Sequence, residues 1–431
     1  MIRHSASAMN GAQAVIGRAL EITRSNRFLQ NVGWLSLGML ATRVIRLGIT
    51  IMVARNFAPD AFGQIALIFT VHEIVSFLLQ RCTTVKLIQA PARELPDFCR
   101  SIYLLNWLLG WGLFAAQCFA GFIVSHIYEQ PELWFPISVL GLSHLIMPMA
   151  MVQCALNIRA GKLGIVARID VLQTFFELGV IAALLALGFK IWALVIPKTL
   201  VSMVWVLGHR YARKWNYKKT GRTAAWRPIL RYSSGLLLID ALQVVRQNAD
   251  YLVIGYVLGI EALGLYFFAF NAGLGIATSF AGAMNSALLP HLCQNRHSSD
   301  AVKHRFLSSL KIVALLVGGL VLVQASSAFL YVPIVFGQDW ADRGSVPLIA
   351  ILCLAALPKS LFDSGSQYLR ALDRPIQDIW AHITLTVTLL ATVLAGVSHG
   401  LMGVAVGVLG AYLVGAVVMA RYCLRPPRQT R

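Results

Sequence analysis

Arg43 and Arg46 stand three residues apart in an apolar stretch that contains no acidic residue. On a helix this spacing sends both guanidinium groups from one face. Two planar donor forks suit a diphosphate, whose oxygens accept bidentate hydrogen bonds. The alternative is structural: Glu73 or Glu177, from other segments, pairs with the arginines and locks the fold. Ionisable residues are costly in lipid, so those inside apolar stretches are expected to face a protein interior or a watery cavity. The other bases so placed are Arg168, Lys198, Arg246 and Lys359, and the acids are Glu73, Asp170, Glu177, Asp240, Asp250 and Asp363. Arg246 with Asp250, and Lys359 with Asp363, are four apart, and each pair can close a bridge along its own helix. Structural pairing is the preferred reading for both. Lys198, beside Pro197, has no local partner and is a further cavity candidate. Arg168 and Asp170, two apart, cannot meet along one helix face. His72, His144 and His382 either titrate near neutral pH and couple proton movement to a conformational change, or simply hydrogen-bond to neighbouring helices.

Catalytic signatures are missing. The chain has no GxxxxGK[ST] phosphate loop, no GxSxG elbow, no HExxH helix and no paired-carboxylate metal motif. Neither an enzyme nor a cofactor or metal requirement is expected, and an ion gradient or downhill removal of cargo would supply energy. The seven cysteines show no CxxC, so neither a disulfide framework nor a zinc site is expected.

The elements that position these residues follow from composition. With 58% hydrophobic and only 13% charged residues, against about 25% in a soluble domain, most of the chain belongs in lipid. Apolar windows of about 20 residues, enough to cross roughly 30 Å of hydrocarbon, can be laid down about twelve times. They fall at 33–53, 62–79, 101–124, 133–156, 163–187, 191–207, 233–258, 265–289, 312–330, 346–362, 379–397 and 401–420. The fold class is therefore an all-α membrane protein. Pro148, Pro197, Pro290 and Pro358, with Gly273, Gly275 and Gly282, mark where helices can bend or pack closely.

The net charge of +19 raises nucleic acid as a partner, but the basic residues are dispersed through the polar breaks rather than gathered in one patch. No nucleic-acid partner is expected. Alternate breaks carry nearly all of the Lys and Arg, which places that side in the cytoplasm. The opposite breaks carry Asp60, Glu129, Glu132, Glu261, Asp339 and Asp342 against Arg55, Lys190 and Arg343. An even number of spans puts both termini in the cytoplasm. The outer breaks are too short for an external catalytic domain. Residues 1–30 lack a signal-type apolar core and are read as a cytoplasmic lead-in.

The chain also looks duplicated. Ile51 to Gly63 aligns without a gap on Leu252 to Gly264, matching Asp60 with Glu261, Ala61 with Ala262 and Gly63 with Gly264. Each copy ends the first span of a half and leads into its second. The expected organisation is a first six-helix bundle at 31–207, a basic linker at 208–231, a second bundle at 232–420 and a basic tail at 421–431. An even number of spans per half makes the copies parallel, related by an axis along the membrane normal.

In the second copy, Tyr232 and Ser233, Asp250 through Gly255, and Gly259 through Tyr266 and Ala269 form a string that resembles the polysaccharide and O-antigen flippases. These belong to the multidrug/oligosaccharidyl-lipid/polysaccharide exporter superfamily. Ala54, Arg55, Phe62 and Gly63 resemble the matching first-half motif, and Leu369, Arg370, Ala371, Asp373, Arg374 and Pro375 resemble the stretch after the tenth span. After the second span the chain departs from the family's small-residue stretch, with Gln80, Arg81, Cys82, Thr83, Thr84 and Lys86. The resemblance implies two MATE-like six-helix bundles around a central, often cationic cavity. The first, second, seventh and eighth spans would line it. It also implies movement of an undecaprenyl-diphosphate-linked oligosaccharide across the bacterial inner membrane, alongside polymerase and export proteins of polysaccharide biosynthesis. Arg43, Arg46, Arg246 and Lys198 are then the candidates to bind substrate. Asp250, Asp240, Glu73, Lys359 and Asp363 are the candidates for coupling or pairing. Two rivals stand: a cation-coupled drug or metabolite antiporter of the same fold, which would use acids such as Glu73, and a membrane glycan polymerase or glycosyltransferase.

Overall fold

The computed structural model describes residues 27–82, 87, 90–217, 226–293 and 299–424. Among the candidate residues, the side chains of Arg43 and Asp240 lie outside the described residues, as do those from Gln80 to Lys86 and residues 218–225 of the basic linker.

Every described element is helical. In the first half they are α1 (Arg27–Asn56), α2 (Pro59–Cys82), α3 (Leu95–Ile127), a rod broken into α4 (Trp134–Gly141), α5 (Ser143–Ile146) and α6 (Met151–Arg159), then α7 (Leu163–Ala186) and α8 (Trp192–Ala212). The second half holds α9 (Trp226–Val257), α10 (Ile260–Ala272), α11 (Leu274–Cys293), α12 (Ser299–Tyr331), the short α13 (Gln338–Asp342), α14 (Ser345–Ala371), α15 (Pro375–Val397) and α16 (Gly400–Leu424). Among the described residues, nine helical stretches are long and apolar enough to cross a membrane. The first and seventh expected spans fall on α1 and α9, where many side chains lie outside the described residues. The eighth is split between α10 and α11.

Large apolar side chains point outward along these rods: Phe119 and Phe122 on α3, Leu315, Leu322 and Val323 on α12, Leu394 on α15. A water-facing surface would not tolerate so many, whereas lipid takes them without cost. Several helices outrun the apolar windows that mark them. The eighth reaches Ala212 and the ninth starts at Trp226, so the basic stretch between the two halves is partly helical. Apolarity marks the part in hydrocarbon, but backbone hydrogen bonding continues into the interface until a cap ends it.

Breaks at membrane depth need their backbone groups satisfied from within the protein. Gly273 ends α10, and the freed carbonyls of Ala272 and Gly273 accept from Gln324 Nε2 at 2.8 and 3.1 Å. The second rod break, at Met147–Met149, contains Pro148. Pro197 and Pro358 sit inside continuous helices.

The two halves meet at the end of the molecule that carries the acidic breaks. A Cβ on Gly63 would run into the carbonyl oxygen of Ile260, and a Cβ on Gly264 into that of Pro59. Ile260 stands at the position aligned with Pro59, so the two close approaches are images of one another under the sequence repeat. Glycine at both positions lets α2 and α10 touch backbone to backbone. Around this crossing, Arg55 donates to the carbonyls of Val335 and Ile334 at 2.9 and 2.8 Å. Trp340 Nε1 donates to Ala54 O at 2.8 Å, and the Tyr128 hydroxyl to Leu252 O at 2.7 Å. Phe62 packs edge-on against Trp340 and Phe268, at 5.0 and 6.1 Å between centroids.

Candidate functional site

Between the halves lies a cavity of about 910 Å³. Its wall draws on the first, second, seventh and eighth expected spans, through Val44 to Val53, Phe62 to Ser76, Arg246 to Tyr251 and Phe267 to Phe280, and also on α7, α8 and the last helices. The aromatic side chains Phe62, Phe69, Tyr251, Phe267 and Phe270 make part of it apolar. The charged groups on the wall are Arg46, Glu73, Glu177, Lys198, Arg246, Asp250 and Lys359.

Each charge has a distinct setting. Arg46 is exposed to the cavity and forms no ion pair among the described residues. Its companion Arg43 falls on the same helix, one turn earlier, with its side chain outside the described residues. Lys198, which has no local partner, reaches Glu177 at 3.4 Å and lies 5.7 Å from the centre of the Phe69 ring. The partner comes from α7, a helix that local spacing cannot see. Lys359 pairs with Asp363 at 3.1 Å, as their spacing predicts.

Arg246 and Asp250 do not form the bridge their spacing allows. Asp250 is claimed by the second half's own core: Oδ2 accepts from the buried Tyr266 hydroxyl at 2.8 Å, and Oδ1 from the Tyr251 amide at 3.0 Å. Arg246, itself buried, turns to α15 and lies 3.1 Å from His382 Nδ1. A guanidinium can only donate, so Nδ1 must be the accepting nitrogen and Nε2 carries the proton. That Nε2 faces Asp378 Oδ1 and Ser366 Oγ, each at 3.4 Å. Asp378 in turn accepts from Arg370 Nε at 2.9 Å. A file of polar groups thus runs from Arg370, near the basic end, through Asp378 and His382 to Arg246 on the cavity wall. Sequence reasoning missed Asp378, because the apolar window of that span starts one residue later. Its position five residues after Asp373 and four before a histidine was the available signal.

The cavity is therefore mixed rather than uniformly cationic. Two of its acids are committed, Glu177 to Lys198 and Asp250 to Tyr266, which leaves Glu73 as the exposed acid, with Lys198 and Arg46 as the charges acting on it. Among the described residues no group of three or more His, Cys, Asp or Glu side chains is placed to hold a metal ion.

Two helical halves around a central cavity define a multi-pass, all-α membrane protein with a MATE-like fold. Solved structures agree on the fold. The lipid II flippase MurJ in an inward closed conformation aligns with a TM-score of 0.77 at 12% identity, over 90% of this chain and 87% of that one. An inward-facing multidrug resistance MATE family transporter of the MOP superfamily aligns at 0.71 with 16% identity, over 90% and 97%. The model of the polysaccharide biosynthesis protein family matches residues 52–347, and the chain belongs to that family. Among curated relatives, the teichuronic acid biosynthesis protein TuaB of Bacillus subtilis (strain 168) is 21% identical over 64% of this chain, which spans only 57% of that protein's length. An uncharacterized membrane protein in the cps region of Klebsiella pneumoniae is 22% identical over 92% of this chain and 82% of its own.

Proposed function

We propose that the protein is a flippase that carries an undecaprenyl-diphosphate-linked oligosaccharide across the bacterial inner membrane by alternating access, for polysaccharide biosynthesis. The observation that carries this reading is Arg46, an exposed guanidinium without an ion pair among the described residues, on the wall of a cavity between two helical halves. A charge kept in such a place needs a mobile counter-charge, and a diphosphate supplies one. Arg43 lies three residues earlier on the same helix, Arg246 is held across the cavity, and Lys198 adds a cation that Glu177 partly balances. The aromatic wall offers the prenyl chain and sugar faces an apolar surface. Membership of the polysaccharide biosynthesis family and the excess of Lys and Arg at one end support the substrate class and an orientation with both termini in the cytoplasm.

Glu73 is the observation that favours a second reading, a cation-coupled antiporter, since an exposed acid in the cavity could hold a cationic cargo. The two readings differ in which charge matters. Losing a charge-assisted hydrogen bond of about 1.5–3 kcal/mol predicts that Arg46→Ala lowers polysaccharide export by roughly tenfold or more. Arg46→Lys should restore part of it, and Glu73→Gln should leave it near wild type. If cells carrying Arg43→Ala with Arg46→Ala export polysaccharide normally while Glu73→Gln abolishes resistance to cationic dyes, the antiporter reading replaces the flippase.

A further inference from the structure

A second chamber of about 550 Å³ opens inside the first half. It shares Arg46, His72 and Lys198 with the central cavity, so the two are neighbours across those side chains. Two histidines on its wall, His72 and His144, are tied to Gln117, which is fully buried behind them. Gln117 Nε2 donates to Ile137 O at 2.8 Å, which turns Oε1 toward two histidines. His144 Nε2 lies 2.7 Å from this oxygen and His72 Nδ1 3.1 Å from it, so each of these nitrogens donates. The rings stack at 5.2 Å between centroids, a distance at which two imidazolium charges would repel, and the buried Nδ1 of His144 has no acceptor to receive a second proton, so the His144 ring is neutral. The consequence falls on His144 Nδ1: it is left as a bare acceptor, buried and with no partner, in a side chain that lines the chamber. An acceptor in that state calls for a donor from outside the protein.

Asp170 on α7 lines the same chamber with a carboxylate that has no ion pair among the described residues, and Gln173 stands one helical turn on. Trp205 on α8 supplies an indole surface. Acceptors at two points, an amide and an aromatic face make up the chemistry that holds a sugar ring, which has hydroxyl donors at its edge and apolar C–H bonds on its faces. A uronic acid would meet Asp170 with like charge. Resting on the flippase reading, we propose that this chamber is the subsite for the sugar next to the diphosphate, and that it selects an uncharged ring. A diphosphate at Arg46 and Lys198 then has its first sugar within the chamber and its prenyl chain in the aromatic part of the central cavity.

The test compares equilibrium binding of three lipids to the purified full chain in nanodiscs: bare undecaprenyl diphosphate, the same lipid carrying one N-acetylglucosamine or glucose, and the same lipid carrying glucuronic acid. The neutral sugar lipid should bind at least roughly tenfold tighter than the bare one, and the glucuronyl lipid no tighter than the bare one. In Asp170→Asn, and separately in His144→Phe, which keeps a flat ring but lacks the acceptor, that ratio should fall to about one. Gln173→Ala serves as a third variant if either fails to fold. Equal affinity for bare and sugar-bearing lipid in the unmodified protein, or an unchanged ratio in the variants, overturns the subsite and leaves the flippase reading standing. Binding of none of the lipids overturns both. Competition by free methyl glucoside as strong as by the neutral sugar lipid would assign the chamber to a free sugar and overturn its placement beside the diphosphate.

Discussion

Arg246 is held in the cavity wall by a nitrogen lone pair rather than by a carboxylate, and this changes what its loss of support would do. A carboxylate would neutralise the guanidinium; the neutral His382 ring orients it and leaves its charge available to an anion. Phe362 packs edge-on to the His382 ring at 5.1 Å, so a ring of similar size is retained by packing alone. His382→Phe should therefore fold but leave a buried guanidinium short of one acceptor. The expected cost is about 1–3 kcal/mol of stability, read in thermal unfolding of the purified protein, together with weaker lipid-diphosphate binding. His382→Gln, which can present its amide oxygen to Arg246, should recover most of both. If the Phe variant matches the wild type in both measurements, His382 does not position Arg246. Residues like these mark the limit of what spacing can say. Lys359 and Asp363 form the bridge that four-residue spacing predicts, whereas Arg246 and Asp250, with the same spacing, are each captured by a partner from another helix. Intrahelical geometry allows a pair, and competition from tertiary neighbours decides whether it forms.

At the scale of the element, the interrupted α10–α11 rod shows how a broken helix survives at membrane depth. The break at Gly273 leaves carbonyls without intrahelical partners, and the amide of Gln324 on α12 covers two of them. Gln324→Leu keeps the volume but removes the donor. Two carbonyls left dry cost about 1–3 kcal/mol each, so the variant should unfold at distinctly lower denaturant or temperature than the wild type. An unchanged midpoint would mean that water or the Tyr331 hydroxyl, which lies 3.3 Å from Ala272 O, already satisfies them. The glycines of this span were legible in the sequence as places where a helix can bend, and Gly273 does end a helix. Pro197 and Pro358 carried a similar signal and yet lie within continuous helices. A proline removes one hydrogen bond and crowds one carbonyl, and neighbouring helices can absorb both. The all-α membrane class was readable because hydrocarbon demands long apolar runs. Helix ends were not, because charged interfacial turns at Ala212 and Trp226 obey backbone hydrogen bonding rather than hydropathy.

For the whole molecule, the faint repeat in the sequence turns out to mark the place where the halves close on each other. Gly63 and Gly264 each receive the carbonyl of the residue that begins the partner's helix, Ile260 and Pro59 respectively. This reciprocity follows from a two-fold relation, and it implies that the two glycines are equivalent in function. In the alternating access proposed above, this end parts when the other end seals, so the contact must be close enough to hold and weak enough to release. A methyl group at either position meets backbone, which cannot step aside as a flexible side chain can. Overpacking of this kind costs about 1–3 kcal/mol, enough to shift a two-state equilibrium by roughly tenfold or more. Gly63→Ala should therefore lengthen and broaden the distance between spin labels placed at Glu132 and Asp342, one on each half at the acidic end, in a background cleared of native cysteines. Gly264→Ala should do the same to a similar degree, and the helices of each half should keep their internal distances. Arg55→Ala, which removes two hydrogen bonds across the same junction, should act in the same direction. A response to one glycine and not the other would break the proposed equivalence, because a closure built on a two-fold axis cannot be opened from one side only.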